Sequence, residues 1–508
     1  METLRITQSS LSYSDLAPLF SGPILVSIDR ESRSRIKRSH ERLKDLLSSG
    51  QTVYGVNTGF GKLSEITIDP EEQFKLQLNL VRSHSAGVGD PMGPGLVRAT
   101  LFLKLLTYVK GYSGVRPEVV NKIIKLLEND LLPVIPEKGS AGASGDLAPL
   151  AHMTLAMIGE GEMIYKGRRL SARNALKKAN IAPLVLHPKE GLSLVNGTQV
   201  STALAIRSML DGDILLRTAD AIGALSVEGS LSSGDVFRSS IHQLKEHQGQ
   251  RVTAKNVSNL LSGSEIVASH KKCGTVQDPY SFRCIPHIHG SCRDSVKHAG
   301  DVINNEINSV SDNPVIMDNG EVAYSGHFHA EPVAQALDII AIAMAELGAI
   351  SERRTYFFMK GVGDRITPFL ATKPGVESGY MMAQVTASTL ASENKTLAHP
   401  ASIDSLPTSG GQEDIVSMAP WAGLKLLQIQ ENVRQILAIE LLVASAACTL
   451  FHGGLRPGKG TAPILEHIQR MVPFQKGDRV LSGEINTLSD LIGTGKIVSL
   501  VKEVIDLE

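Results

Sequence analysis

Cysteine is scarce in this 508-residue chain: there are four, Cys273, Cys284, Cys292 and Cys448, and none stand at C-x-x-C spacing. That scarcity excludes a disulfide scaffold and a thiolate zinc ribbon and points to a reducing compartment, so a cytoplasmic location is expected. An excess of either charge is lacking too, with 51 basic residues against 52 acidic. Neither a nucleic acid nor a membrane surface is therefore an expected partner; a small molecule of balanced charge fits better. The opening Met1-Glu2-Thr3-Leu4-Arg5 has no basic stretch followed by an apolar run, so no leader peptide is expected. Uninterrupted apolar runs of membrane-spanning length are missing as well. Residues 331–350 carry Gln335, Asp338 and Glu346, and residues 436–450 carry Glu440, which predicts helices buried on all sides in a bundle core or between subunits.

What is present is a change of character along the chain. Up to about residue 200, helical patterns alternate with turns rich in Gly and Pro. These predict helices near 31–49, 71–86, 96–110 and 117–129, and a small hairpin within 160–190. From Thr198 onward, long apolar-rich helical patterns cover about 198–228, 293–309, 331–353, 377–396, 417–451 and 461–472, with few strand signals. The expected fold is mostly α, a superhelical long-helix bundle with a mixed, loop-rich N-terminal part. Its expected domains are residues 1–200, and then 201–508 with the bundle and the C-terminal helices.

The stretch Gly139-Ser140-Ala141-Gly142-Ala143-Ser144-Gly145-Asp146 stands out because its side chains are so small. Asp146 followed by Pro149 reads as the cap and first turn of a helix with Leu147, Leu150, Ala151, Thr154 and Ile158 on one face. In a tight bend the Gly145 nitrogen can approach the Ala143 carbonyl carbon. Ring closure with loss of two waters, one of them from the Ser144 side chain, then gives an electrophilic methylidene-imidazolone. On chemistry alone that reading stands beside a plain helix-capping loop.

Other candidates carry weaker signals. Tyr54-Gly55-Val56-Asn57-Thr58-Gly59-Phe60-Gly61 lacks the Lys-Ser/Thr of a phosphate loop. Ser144, His152 and Asp146 are near in sequence, but Asp146 stands where G-x-S-x-G requires glycine. His287-Ile288-His289 and His327-Phe328-His329 would each place two imidazoles on one face of a strand, the basis for a metal hydrolase as a rival reading. A helical scaffold that keeps the loop for packing is the rival without enzymatic activity.

The segment from Gly139 to His152 resembles the signature of the aromatic amino-acid ammonia-lyases. The similarity continues in Tyr54–Gly61, Val195–Thr198, Val276–Cys284, Ser311–Pro314, Phe328–Pro332 and Gln412–Asp414, and it covers almost the whole chain. The resemblance implies that Ala143, Ser144 and Gly145 form 4-methylideneimidazole-5-one autocatalytically, with no metal or nucleotide. The implied reaction removes an α-amino group and a β-proton from a small-molecule amino-acid substrate. Ammonia leaves poorly and the β-proton is weakly acidic, so an electrophile and a placed base must cooperate.

By the same resemblance Tyr54 is the base, Asn196 hydrogen-bonds the ring or the substrate amine, and Tyr280 assists at the same centre. Arg283 binds the substrate carboxylate through its planar fork, and Phe328 forms an apolar wall. Glu413, aligned with a glutamine in phenylalanine and tyrosine lyases, can accept an imidazole N–H, and His84 offers a second polar contact. Glu413 favours L-histidine, giving trans-urocanate, while His84 decides less because Ser-His here also occurs in some tyrosine-specific relatives; tyrosine or another aromatic amino acid is the alternative. The chain departs from the histidine-specific pattern at Gly411 and Ile415 flanking Gln412-Glu413-Asp414, at His327, and at His287 in place of a usual glutamine. The family is homotetrameric with sites shared among subunits, so a homotetramer is expected.

Overall fold

The long apolar windows fold as long helices. In the computed structural model, which describes residues 1–270, 276–362 and 365–508, they run Gln199–Gly229, Ile285–Ile307, Glu331–Met359, Met381–Leu397, Ala419–Phe451 and Ala462–Met471. The helix expected at 293 begins earlier, at Ile285, because Pro286 sits in the first turn, where it has no intrahelical bond to lose. The helix expected to stop at 353 continues to Met359. Apolar periodicity fades at Glu352-Arg353-Arg354, yet Arg354 is fully buried, its Nε and Nη2 donating to Glu440 at 2.5 and 2.8 Å. Glu331–Met359 and Ala419–Phe451 are long and apolar enough to cross a membrane by composition, but their apolar windows are 67% and 78% buried inside the protein. They are core helices.

The residues pack as two units, each assembled from three stretches of chain. The first holds Met1–Leu210, Gly300–Asp338 and Pro400–Leu424; the second holds Asp211–Ala299, Ile339–His399 and Lys425–Glu508. The expected domains, residues 1–200 and 201–508, are two continuous stretches, whereas each unit here takes in three separate ones.

In the first unit Glu2–Ile6 pairs in parallel with Ile24–Ile28, whose alternate residues Ile24, Val26 and Ile28 are buried. This two-strand pair is too short to stand out in the sequence. The expected hairpin is Glu162–Tyr165 with Arg168–Ser171, turned by Lys166 and Gly167, both at positive φ, as a primed two-residue turn requires. Helices Gln73–His84, Leu147–Met157 and Glu190–Val195 pack against one another, and the small-residue loop leads into the second of them.

The second unit contains a fully buried polar network. Glu440 accepts from Arg354, Ser226 and Ser351, while His289 donates from Nδ1 to Asp220 at 2.9 Å and faces Arg354 Nη1 with Nε2. Burial, with Arg354 alongside, pushes His289 below its ordinary pKa, so the ring is a neutral bridge between an anion and a cation. This corrects the metal reading. His287 and His289 lie on a helix, where residues two apart point about 200° from each other, and His289 already has partners on both nitrogens. In the first unit, His327 Nδ1 pairs with Ser325 Oγ and His329 Nδ1 accepts from the Glu331 N–H. Among the described residues no three His, Cys, Asp or Glu side chains converge as metal ligands. Cys273 lies outside the described residues; Cys284, Cys292 and Cys448 are free.

Candidate active site

The loop 139–146 is clamped between two distant backbone segments. On one side the Met418 N–H donates to Ala141 O at 2.8 Å and Ser417 Oγ donates to Gly142 O at 3.1 Å. On the other, the Asp146 N–H donates to Gly197 O at 2.8 Å. The glycines follow from this closeness. A Cβ on Gly145, whose φ is +74°, would lie 2.2 Å from Gly197 O, and one on Gly142 would lie 2.2 Å from Ser417 Oγ. Gly145→Ala is therefore expected to destabilise by about 2 kcal/mol or more, combining strain at positive φ with a backbone clash; urea midpoints against the parent chain measure this.

Asp146 is the N-cap residue of Leu147–Met157, but its side chain does not cap that helix. It reaches across to accept from Ser201 N at 2.7 Å and Ser201 Oγ at 2.6 Å, in the first turn of Gln199–Gly229. Burial raises the carboxyl to about 6 even though the Ser201 bonds oppose this. Asp146→Asn should place an amide donor among these donors and cost about 1–3 kcal/mol in thermal or denaturant unfolding. The Ser144, His152, Asp146 triad does not assemble: His152 Nε2 accepts from the Gly87 N–H at 3.0 Å, and Asp146 is engaged with Ser201.

Beside this loop the first unit holds a cavity of about 1010 Å³ that opens to the surface. Tyr54, His84, Ala143, Ser144, Asn196, Phe328 and Glu413 all line it, so seven positions scattered over 360 residues of sequence meet at one surface. Ser144 Oγ donates to Glu413 Oε1 at 2.7 Å; Glu413 Oε2 accepts from Thr408 Oγ1 at 2.6 Å and Ser409 Oγ at 2.7 Å. Burial opposes ionisation of Glu413, but the three hydroxyl bonds and the nearby His84 outweigh it and hold the carboxyl below its ordinary range. Asn196 Nδ2 donates to Ser144 O at 3.3 Å, while its buried Oδ1 has no partner. The Tyr54 hydroxyl accepts from the Gly61 N–H at 3.0 Å, with Phe60 packed edge-on 6.2 Å away. His84 Nδ1 lies 2.9 Å from Leu80 O and 3.1 Å from Ser83 Oγ, so this ring nitrogen is engaged on its own helix.

The chain belongs to the aromatic amino acid lyase family. The model of that family, described as aromatic amino acid lyase, matches residues 11–470. The chain is 46% identical over 491 residues to a histidine ammonia-lyase of Burkholderia cenocepacia, covering 96% of this chain and 97% of that one. Among solved structures it resembles the histidine ammonia-lyase of Trypanosoma cruzi, with TM-score 0.91, 35% identity, and 100% and 96% of the two chains covered. It also resembles a tyrosine aminomutase of Streptomyces globisporus, with TM-score 0.93, 31% identity and both chains covered in full. The mostly helical fold is that of this family, and the chain is a carbon–nitrogen lyase.

Two residues expected at the site do not line the cavity. Tyr280 and Arg283 belong to the second unit, on the helical turn Tyr280–Arg283, with the Arg283 guanidinium 4.6 Å over the Tyr280 ring. Tyr280 is 69% exposed, and no arginine is among the described residues lining the cavity. A motif in sequence says that a residue type is present, not where the fold puts it. Conversely, the anchors Thr408, Ser409 and Ser417 were not anticipated. The Thr408-Ser409-Gly410-Gly411 stretch was the available signal, as a hydroxyl-rich turn just before Gln412.

Proposed function

We propose that this chain converts L-histidine to trans-urocanate and ammonia, using 4-methylideneimidazole-5-one formed from Ala143, Ser144 and Gly145. The observation that carries the substrate is Glu413, an ionised acceptor anchored by two hydroxyls and placed 2.7 Å from Ser144 Oγ on the cavity wall. An imidazole N–H is the donor that such an acceptor selects, and a charge-assisted bond there is about twice as strong as a neutral one.

The turn suits the ring. Gly145 is held at φ +74° with no room for a Cβ, Ala143 and Ser144 line the cavity, and Asn196 offers Nδ2 to the Ser144 carbonyl. When formed, the group supplies an electrophilic methylidene that turns the substrate amino group into a better leaving group. The chain's own residues do the rest. The unpartnered Asn196 Oδ1 accepts from the substrate amine, the Tyr54 side chain acting as phenolate takes the β-proton and becomes the neutral phenol, and Phe328 and Phe60 keep water from the ring face. His84 makes a second polar contact to the imidazole.

Tyr280 and Arg283 complete the site from a neighbouring subunit of a homotetramer, Arg283 pairing with the substrate carboxylate. The stacking of Arg283 on the exposed Tyr280 ring, the unpartnered buried Arg283 Nε and the lack of an arginine among the described residues lining the cavity support this. The free thiols Cys284, Cys292 and Cys448 accord with a cytoplasmic enzyme. Two measurements test the reading: intact mass, expected to be two waters below the sequence, and ultraviolet detection of urocanate from L-histidine. A full sequence mass overturns the electrophile, and turnover of tyrosine but not histidine overturns the role of Glu413.

A further inference from the structure

We infer that Lys104 is a positioning residue for the elimination, holding the Asn196 backbone so that the Asn196 carboxamide faces Ser144. Lys104 stands in Pro94–Val109 and is fully buried, which lysine rarely is without a carboxylate partner. Its Nζ donates to two main-chain carbonyls, Ser193 O at 2.7 Å and Asn196 O at 2.5 Å, and lies 5.7 Å from the centre of the Tyr108 ring. Tyr108 reinforces the arrangement, its hydroxyl donating to Ser193 O at 3.0 Å. The nearby buried carboxylates are engaged elsewhere, Asp312 with Lys189 and Asp146 with Ser201.

What these bonds hold is the point where helix Glu190–Val195 ends and the chain turns to extended backbone at Asn196, φ −87° and ψ 140°. From there Asn196 sends Nδ2 to Ser144 O while Gly197 O receives the Asp146 N–H. Consecutive carbonyls are therefore tied in two directions, Asn196 O to Lys104 and Gly197 O to the loop. Burying an ammonium costs several kcal/mol, and an apolar side chain of similar length would fill the space without that penalty. A packing role alone does not account for the charge; a fixed donor to Asn196 O does. Burial lowers Lys104 to about 7, against the pull of Asp312. A neutral amine retains two N–H groups, enough for both carbonyls, so the tether survives deprotonation.

The inference rests on the proposed elimination, and wild-type turnover of L-histidine tests that reading on its own. The discriminating experiment compares Lys104→Met, Asn196→Ala and the double variant. Lys104→Met should lower kcat by about 100-fold while KM moves less than about threefold, because a displacement of about 1 Å at a reacting centre has that effect. Since Lys104 acts through Asn196, the double variant should lie within about threefold of the poorer single variant. A crystal structure of Lys104→Met should show Asn196 Nδ2 out of hydrogen-bond reach of Ser144 O, a readout independent of activity. The proposal is overturned by a kcat within about threefold of wild type, by losses that multiply in the double variant, or by an unmoved Asn196 side chain. It is equally overturned if neither Lys104→Met nor Lys104→Gln gives folded protein, since Lys104 is then a folding residue.

Discussion

Ser144→Ala should leave a folded protein with kcat reduced by roughly three orders of magnitude or more, because the reaction loses its electrophile and not merely a contact. The structural loss is small: the hydrogen bond from the Ser144 hydroxyl to Glu413 exists only in the unmodified chain and is already gone once the ring has formed, and Glu413 keeps its bonds from Thr408 and Ser409. A single bond at a cavity wall contributes about 1 kcal/mol to stability. Alanine has no hydroxyl to eliminate, so the intact mass should not show the double dehydration. Thermal melting and native mass should match the parent; a variant that loses its fold or assembly contradicts the assignment of Ser144 to chemistry.

Glu413→Gln should reduce kcat/KM for L-histidine by roughly 10²- to 10⁴-fold, since a site that hydrogen-bonds a buried donor discriminates strongly when its acceptor is weakened. The amide retains the side-chain shape, and Thr408 and Ser409 can accept as well as donate, so the turn holding it should persist. Loss of discrimination between histidine and phenylalanine, measured as a ratio of kcat/KM values, separates this from a general defect. The parent chain also has a defined pH signature. Because the folded pKa of Glu413 is depressed, its stabilisation is complete above the ordinary carboxylate range and is lost as pH falls through the lower folded value. Near neutrality Glu413 is ionised, so an acid limb in kcat/KM that belongs to it should appear only below the usual glutamate range. The Gln variant should lack that limb.

How far the sequence led depended on the range of the contact. Helices such as Pro117–Glu128 and Ala419–Phe451 were readable because their apolar spacing and end signals are local. So was the bareness of 139–146. Its reason was not local: the atoms that exclude a side chain at Gly142 and Gly145 belong to Ser417 and Gly197, far along the chain. Asp146 shows the same limit. Its position before a helix was legible, yet its carboxylate serves Ser201, 55 residues on. His289 looked like half of a ligand pair until its helix and its partners Asp220 and Arg354 were known. Lys104 carried no signal at all, sitting inside an apolar helical pattern where a lysine reads as exposed. For Tyr280 and Arg283 the motif was visible, but their place in the second unit, away from the residues that line the cavity, was not.

If the ring forms as proposed, the double clamp on the loop also sets the timing of its closure. Its walls come from Gly197 and from Ser417 and Met418, so the bend at Gly145 cannot be enforced until a polypeptide more than 400 residues long has been made and folded. On the proposed reading, ring closure therefore follows completed folding and is not an early chemical event on the ribosome. A nascent chain stalled before Ser417 should weigh what its sequence predicts, whereas the released protein should have lost its two waters.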